Sequence, residues 1–98
     1  MVCVNVVILG KKIMSEMDFH QQLATALDVQ GFYGFNRDAL WDLLSAGVER
    51  PVVLVWKSAQ VSKMNLGASF EEIVEVLERV KQQDEGFGWE DKFTYELD

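Results

Sequence analysis

The sequence predicts an α/β fold: a small three-stranded parallel sheet with covering helices. Two observations carry this. Short runs rich in β-branched and aromatic residues stand near the beginning, middle and end of the chain, and the stretches between them repeat apolar residues at helical spacing. Strands joined through helices are parallel crossovers, right-handed by rule, because a tight hairpin cannot connect parallel neighbours. Length completes the argument. Ninety-eight residues support one hydrophobic core, so 1–98 is expected to form a single domain that buries about 60–65% of its unfolded surface.

The elements follow in order. Val2 to Leu9 is short and Val/Ile-rich, ends at Gly10, and suits a strand buried on both faces. Ser15 offers an N-cap with Asp18 in the first turn, and Phe19, Leu23, Ala26 and Leu27 then form one apolar helix face. Gly31 and Gly34 interrupt the pattern around two aromatics. Asn36 caps a second helix that runs to about Ala46 and stops near Gly47. Pro51 can open a strand but not sit inside one, and Val52 to Trp56 follows it. A short helical piece covers Ser58 to Met64. Ser69 and Glu72 have capping-box spacing, and Phe70, Ile73, Leu77 and Val80 continue a helix to about Gln83. Phe93 to Leu97 closes the chain as an edge strand.

Charge excludes several classes of function. Nine Lys and Arg face sixteen Asp and Glu, a net charge of -7. Nucleic acid and anionic membranes both require a basic face, so neither is an expected direct partner. A basic protein is, because an acidic surface attracts it at long range. The excess acid lies in Glu71 to Asp98, ten acids against three bases, and solubility alone accounts for an acidic end. Cys3, the one cysteine, cannot form an internal disulfide and reads as a small buried hydrophobe. The N-terminal apolar run precedes Lys11-Lys12 rather than following positive charge, and it is too short to span a bilayer. A cytoplasmic location is the expectation.

Catalytic and metal chemistry find little support. His20 is the only histidine; without ligand partners at suitable spacing it reads as a surface or boundary residue of the first helix. Neither a nucleophile elbow nor a Gly-rich phosphate loop is present. Asp38 and Asp42 are four residues apart, hence on one helix face, while Leu40, Leu43 and Leu44 mark the other. At 100° per residue Trp41 falls near the acidic stripe, where Arg37, four residues back, could stack on it. Two carboxylates on one helix surface lack the opposing wall that a glycosidase needs and the further oxygen ligands that Mg²⁺ needs. A carboxylate-dependent hydrolase is therefore the weakest class, and no cofactor is expected.

Stability explains the acidic face poorly. Asp38 gains from the helix dipole, but Asp42 lies a turn further on, and the like-charge pair costs about 0.2–0.5 kcal/mol. A solvated polar face would also contain such acids. An aromatic between two acids without helical counter-charges is, however, the composition of a binding hot spot.

Phe32-Tyr-Gly-Phe-Asn-Arg-Asp-Ala-Leu-Trp-Asp42, followed by Val48-Glu-Arg-Pro51, a hydrophobic strand and Trp56, resembles the barstar family of ribonuclease inhibitors. The order of elements agrees over nearly the whole chain. The resemblance implies a protein that plugs the active site of a small basic microbial ribonuclease or a ribonuclease toxin domain, in the latter case as an immunity protein. It implies that Asp42 enters the enzyme's phosphate-binding pocket and that Asp38 pairs with interface cations. Phe32, Gly34 and Trp41 match contact or shaping positions, with Tyr33 and Asn36 completing the implied partner-binding set. Three positions depart from the pattern: Arg79 falls where the founding inhibitor carries an interface acid, Gly47 replaces an aromatic and Phe35 replaces an acid. The rim is thus expected to suit a different cognate enzyme. An interaction module of the same fold with a basic partner other than a ribonuclease is the alternative.

Overall fold

The computed structural model describes residues 3–98; Met1 and Val2, the latter placed in the first strand by the sequence pattern, lie outside the described residues. Three strands, β1 (Val4–Leu9), β2 (Val52–Lys57) and β3 (Phe93–Leu97), form one sheet in the order β1-β2-β3. Both pairings are parallel, with Val6 opposite Leu54 and Leu54 opposite Tyr95. The helices are α1 (Glu16–Leu27), α2 (Arg37–Ala46), α3 (Ala59–Leu66) and α4 (Ala68–Phe87). A 3₁₀ turn over Gly10–Lys12 links β1 towards α1.

Burial alternates along the strands, so one sheet face carries the core. Val6, Ile8, Val52, Leu54, Trp56 and Phe93 are buried on that face and pack with Phe19 and Leu23 of α1, Leu40 and Leu44 of α2, and Ile73, Leu77 and Val80 of α4. The expectation that β1 is buried on both faces is therefore corrected. Val7 and Leu9 are exposed because β1 lies at an edge and the helices join the core from one side. Gln22 of α1 meets that edge: its amide nitrogen donates to Leu9 C=O at 3.1 Å, and its oxygen accepts from Leu9 N–H at 2.7 Å. Cys3, expected to be buried, is exposed beside the start of the strand.

Local signals set most helix limits. Asp18 accepts from the backbone N–H groups of Met14 and Ser15, which fixes the start of α1. Its buried side is Phe19, His20, Leu23 and Ala24; Ala26, assigned to the apolar face by spacing, is exposed. The α4 start differs from expectation. Gly67, at φ +60°, leads directly from α3 into α4, so Ser69 already lies inside the first turn and the Ser69–Glu72 capping box does not cap. The helix also runs past Gln83 to Phe87, because Asp84 faces inward and continues the buried stripe.

Two polar links lock the far side of the sheet. Asp84, fully buried, accepts from Arg50 Nε at 2.8 Å and from the backbone N–H of Phe93 at 2.8 Å. Burial alone would raise its carboxyl pKa; the hydrogen bonds from Arg50 and Phe93 outweigh that and hold it below the ordinary aspartate value. Tyr95 donates to Glu78 at 2.7 Å, tying β3 to α4. Burial, then the Glu78 carboxylate, pushes this phenol up to about 12.

Candidate functional site

The face predicted from the sequence is built on α2 and the loop before it. Asn36 starts α2: its side-chain oxygen accepts from Ala39 N–H at 2.7 Å, and its amide donates to Gly34 C=O at 3.3 Å. One side chain thus sets the helix start and folds the loop back on it. Gly34 is close to that first turn; a Cβ there would lie 3.0 Å from the Cβ of Ala39. The glycine keeps the loop near the helix. Phe35 follows at φ +55°, a conformation rarely taken by an aromatic residue, and packs its ring on Tyr33 at 5.2 Å.

Tyr33 and Phe32 point to opposite destinies. Phe32 is 76% exposed, whereas Tyr33 is 6% exposed. The tyrosine is therefore placed beneath the loop as a support, while still lining a hollow with Asp42. Its hydroxyl lies 2.6 Å from Nδ1 of His20, and His20 Nε2 lies 3.0 Å from the Glu16 carboxylate. In the neutral imidazole, Nε2–H donates to Glu16, leaving Nδ1 to accept from the tyrosine hydroxyl. Burial, then Glu16, raises the Tyr33 pKa well above the usual phenol range. His20 is 1% exposed, not a surface residue: it holds the loop from inside.

The network continues outward. Glu16 also pairs with Arg37 Nε at 3.4 Å, and the Arg37 guanidinium reaches Glu72 of α4. This overturns the expected Arg37–Trp41 stack. Two carboxylates draw Arg37 away, and Arg79 of α4 takes its place, with its guanidinium carbon 4.8 Å from the Trp41 ring centroid.

Asp38 and Asp42 are both exposed, and among the described residues neither has an ion-pair or side-chain hydrogen-bond partner. They open onto two different hollows. Asp38, Asn36 and Trp41 line a groove of about 550 Å³ between α2 and α4, shared with Arg37, Glu72 and Arg79. Asp42 lines a hollow of about 280 Å³ with Phe32, Tyr33, Gly34, Leu43 and Gly47. Helix α2 is the ridge between them, so the predicted residues share one surface but not one pocket. Gly47 opens the second hollow, since it adds no side chain there. Arg79 is the contributor that local patterning could not identify, because its contact with Trp41 joins two helices distant in sequence. Among the described residues no group of three or more His, Cys, Asp or Glu could hold a metal ion, and no helix is long and apolar enough to cross a membrane.

Residues 3–96 match the family model described as Barstar (barnase inhibitor). The chain is 32% identical over 79 residues to a Bacillus subtilis (strain 168) protein named "Putative ribonuclease inhibitor YrdF", an alignment covering 81% of this chain and 87% of that protein.

Proposed function

The chain belongs to the barstar family, and we propose that it is an intracellular inhibitor that blocks the active site of a basic microbial ribonuclease or ribonuclease toxin domain. It acts by binding, not turnover. Asp42 and Asp38 supply the charge, Phe32 and Trp41 flank them, and Tyr33, Gly34 and Asn36 hold the loop and helix in place. The carrying observation is the charge pairing. Arg37 and Arg50 are engaged by carboxylates within the chain, while the two acids on the α2 ridge are left free to meet external cations.

The chemistry follows from what a ribonuclease must do. Its active site is cationic because it binds RNA phosphate. A carboxylate fixed on a helix offers those cations the same sign of charge with no scissile bond. The side chains around it exclude water, and water exclusion strengthens each charged contact. Long-range attraction between the acidic inhibitor and the basic enzyme then accelerates encounter.

A paired capture tests this proposal. The wild-type chain and Asp42→Ala are used as baits on lysate and secreted fractions of the source organism, with mass spectrometry of what each retains. The expected result is a small basic ribonuclease or toxin domain held by the wild type and lost by the variant, whose RNase activity the wild type abolishes. Equal capture of the same partner by both baits would place binding elsewhere. A non-ribonuclease partner held only by the wild type would retain the face and overturn the target.

A further inference from the structure

The groove beside the α2 ridge also carries, from α4, a charge of the opposite sign with no carboxylate partner among the described residues. Arg79 is exposed, lies over the Trp41 ring and shares the Asp38 groove. Arg37 and Arg50 are each held by a carboxylate; Arg79, among the described residues, has no carboxylate within ion-pair distance. Glu75, one turn earlier on α4, lines the same groove without closing that pair. The indole face serves the flat face of a guanidinium, but it does not satisfy the N–H donors around its edge. A partner seated on α2 removes water from that edge. An arginine stripped of water without acceptors opposes binding, and one met by another cation opposes it further.

We propose that Arg79, positioned on Trp41, reads an acidic group of the partner. The cognate surface then alternates in sign: cations opposite Asp38 and Asp42, and a carboxylate opposite Arg79. This rests on the ribonuclease-inhibitor reading and deepens it, because Arg79 rejects enzymes whose active-site rim is uniformly basic. Repulsion of wrong partners is an effective source of specificity when the attractive contacts are shared.

The test uses barnase, the enzyme named in the family description, as the probe. Affinities are measured for the wild-type chain, Arg79→Glu, Arg79→Gln and Asp42→Ala. The opposing panel is barnase and a set of its variants, each with one Arg or Lys around the active site changed to Glu. Arg79→Glu is expected to bind unmodified barnase about tenfold or more tighter than the wild type does, with Arg79→Gln between them. At least one Glu-bearing barnase variant should reverse that order, binding the wild-type chain better than Arg79→Glu. Thermal unfolding checks each chain, and Arg79→Gln carries the comparison if the charge reversal impairs folding. If Asp42→Ala loses affinity while the Arg79 variants track the wild type against every form of barnase, this proposal is overturned and the inhibitor reading stands. If Asp42→Ala is also unchanged against a form that binds, the acidic-ridge reading falls and takes this proposal with it. If no chain, Arg79→Glu included, binds any form, this proposal is overturned and the reading of a different cognate ribonuclease stands.

Discussion

Asp84 and Asp42 are carboxylates on neighbouring helices, and the chain uses them in opposite ways. Asp84 is fully buried, gripped by Arg50 and the Phe93 N–H, and connects α4 to the start of β3. Asp42 is exposed on α2 with no counter-charge among the described residues. The first satisfies its charge inside the molecule and thereby holds the sheet to a helix. The second leaves its charge available, on a ridge fixed by the Asn36 cap and the Tyr33–His20 contact. Pairing within the chain marks architecture; charge left open on a rigid support is what the proposed inhibitor surface requires.

Asp84→Ala should do the greatest damage to folding, about 3–5 kcal/mol by urea unfolding, because Arg50 is left partly buried without its partner. Affinity for a captured ribonuclease, measured where the variant is still folded, should be unchanged. A loss of affinity in folded protein would break the division of roles. Asp42→Ala should show the reverse: about 2–5 kcal/mol lost from binding, measured by inhibition titration, and no loss of stability. It should even gain about 0.2–0.5 kcal/mol of stability from relief of the Asp38 repulsion.

Tyr33→Phe lies between the two regions. It removes the hydroxyl facing His20 and leaves a buried ring nitrogen unsatisfied, at about 1–3 kcal/mol of stability. Because the loop loses its inner anchor, binding should weaken as well, and surface plasmon resonance beside urea unfolding measures both losses. The smallest effect is in acid. The Asp84 carboxyl titrates lower in the folded than in the unfolded chain, so its stabilisation is complete above the ordinary aspartate value of about 4 and is lost as pH falls through the folded value. Urea midpoints for the wild type should therefore fall more steeply below about pH 4 than those for Asp84→Ala.

The same contrast explains what could be read from the sequence. The three strands, their parallel pairing and the polar and apolar sides of α2 were recoverable because each depends on local patterns: Val-rich runs joined through helical stretches, the Asn36 cap, and leucines opposite aspartates. Contacts between distant segments were not recoverable this way. Arg79 finds Trp41 across two packed helices, and Arg37 is drawn off by Glu16 and Glu72. His20 resembles a helix-surface residue until Tyr33 closes over it. Asp84 is hidden in a Gln-Gln-Asp-Glu stretch whose polarity suggests a frayed helix end, yet a distant arginine makes its burial tolerable. The capping box at Ser69 failed for a different reason: Gly67 reaches a backbone conformation that fuses the approach to α4 with the end of α3.

The bidentate contact between Gln22 and Leu9 has a consequence for how crowded molecules of this chain meet one another. A bare parallel edge presents its donors and acceptors to any extended segment, and the exposed Val7 and Leu9 would add apolar adhesion to such an encounter. The glutamine amide, donating once and accepting once, plays the part of a missing neighbour at Leu9. A newcomer must first displace a contact that forms within the same molecule, so intermolecular sheet growth meets an obstacle that requires neither proline nor a charged residue at that position.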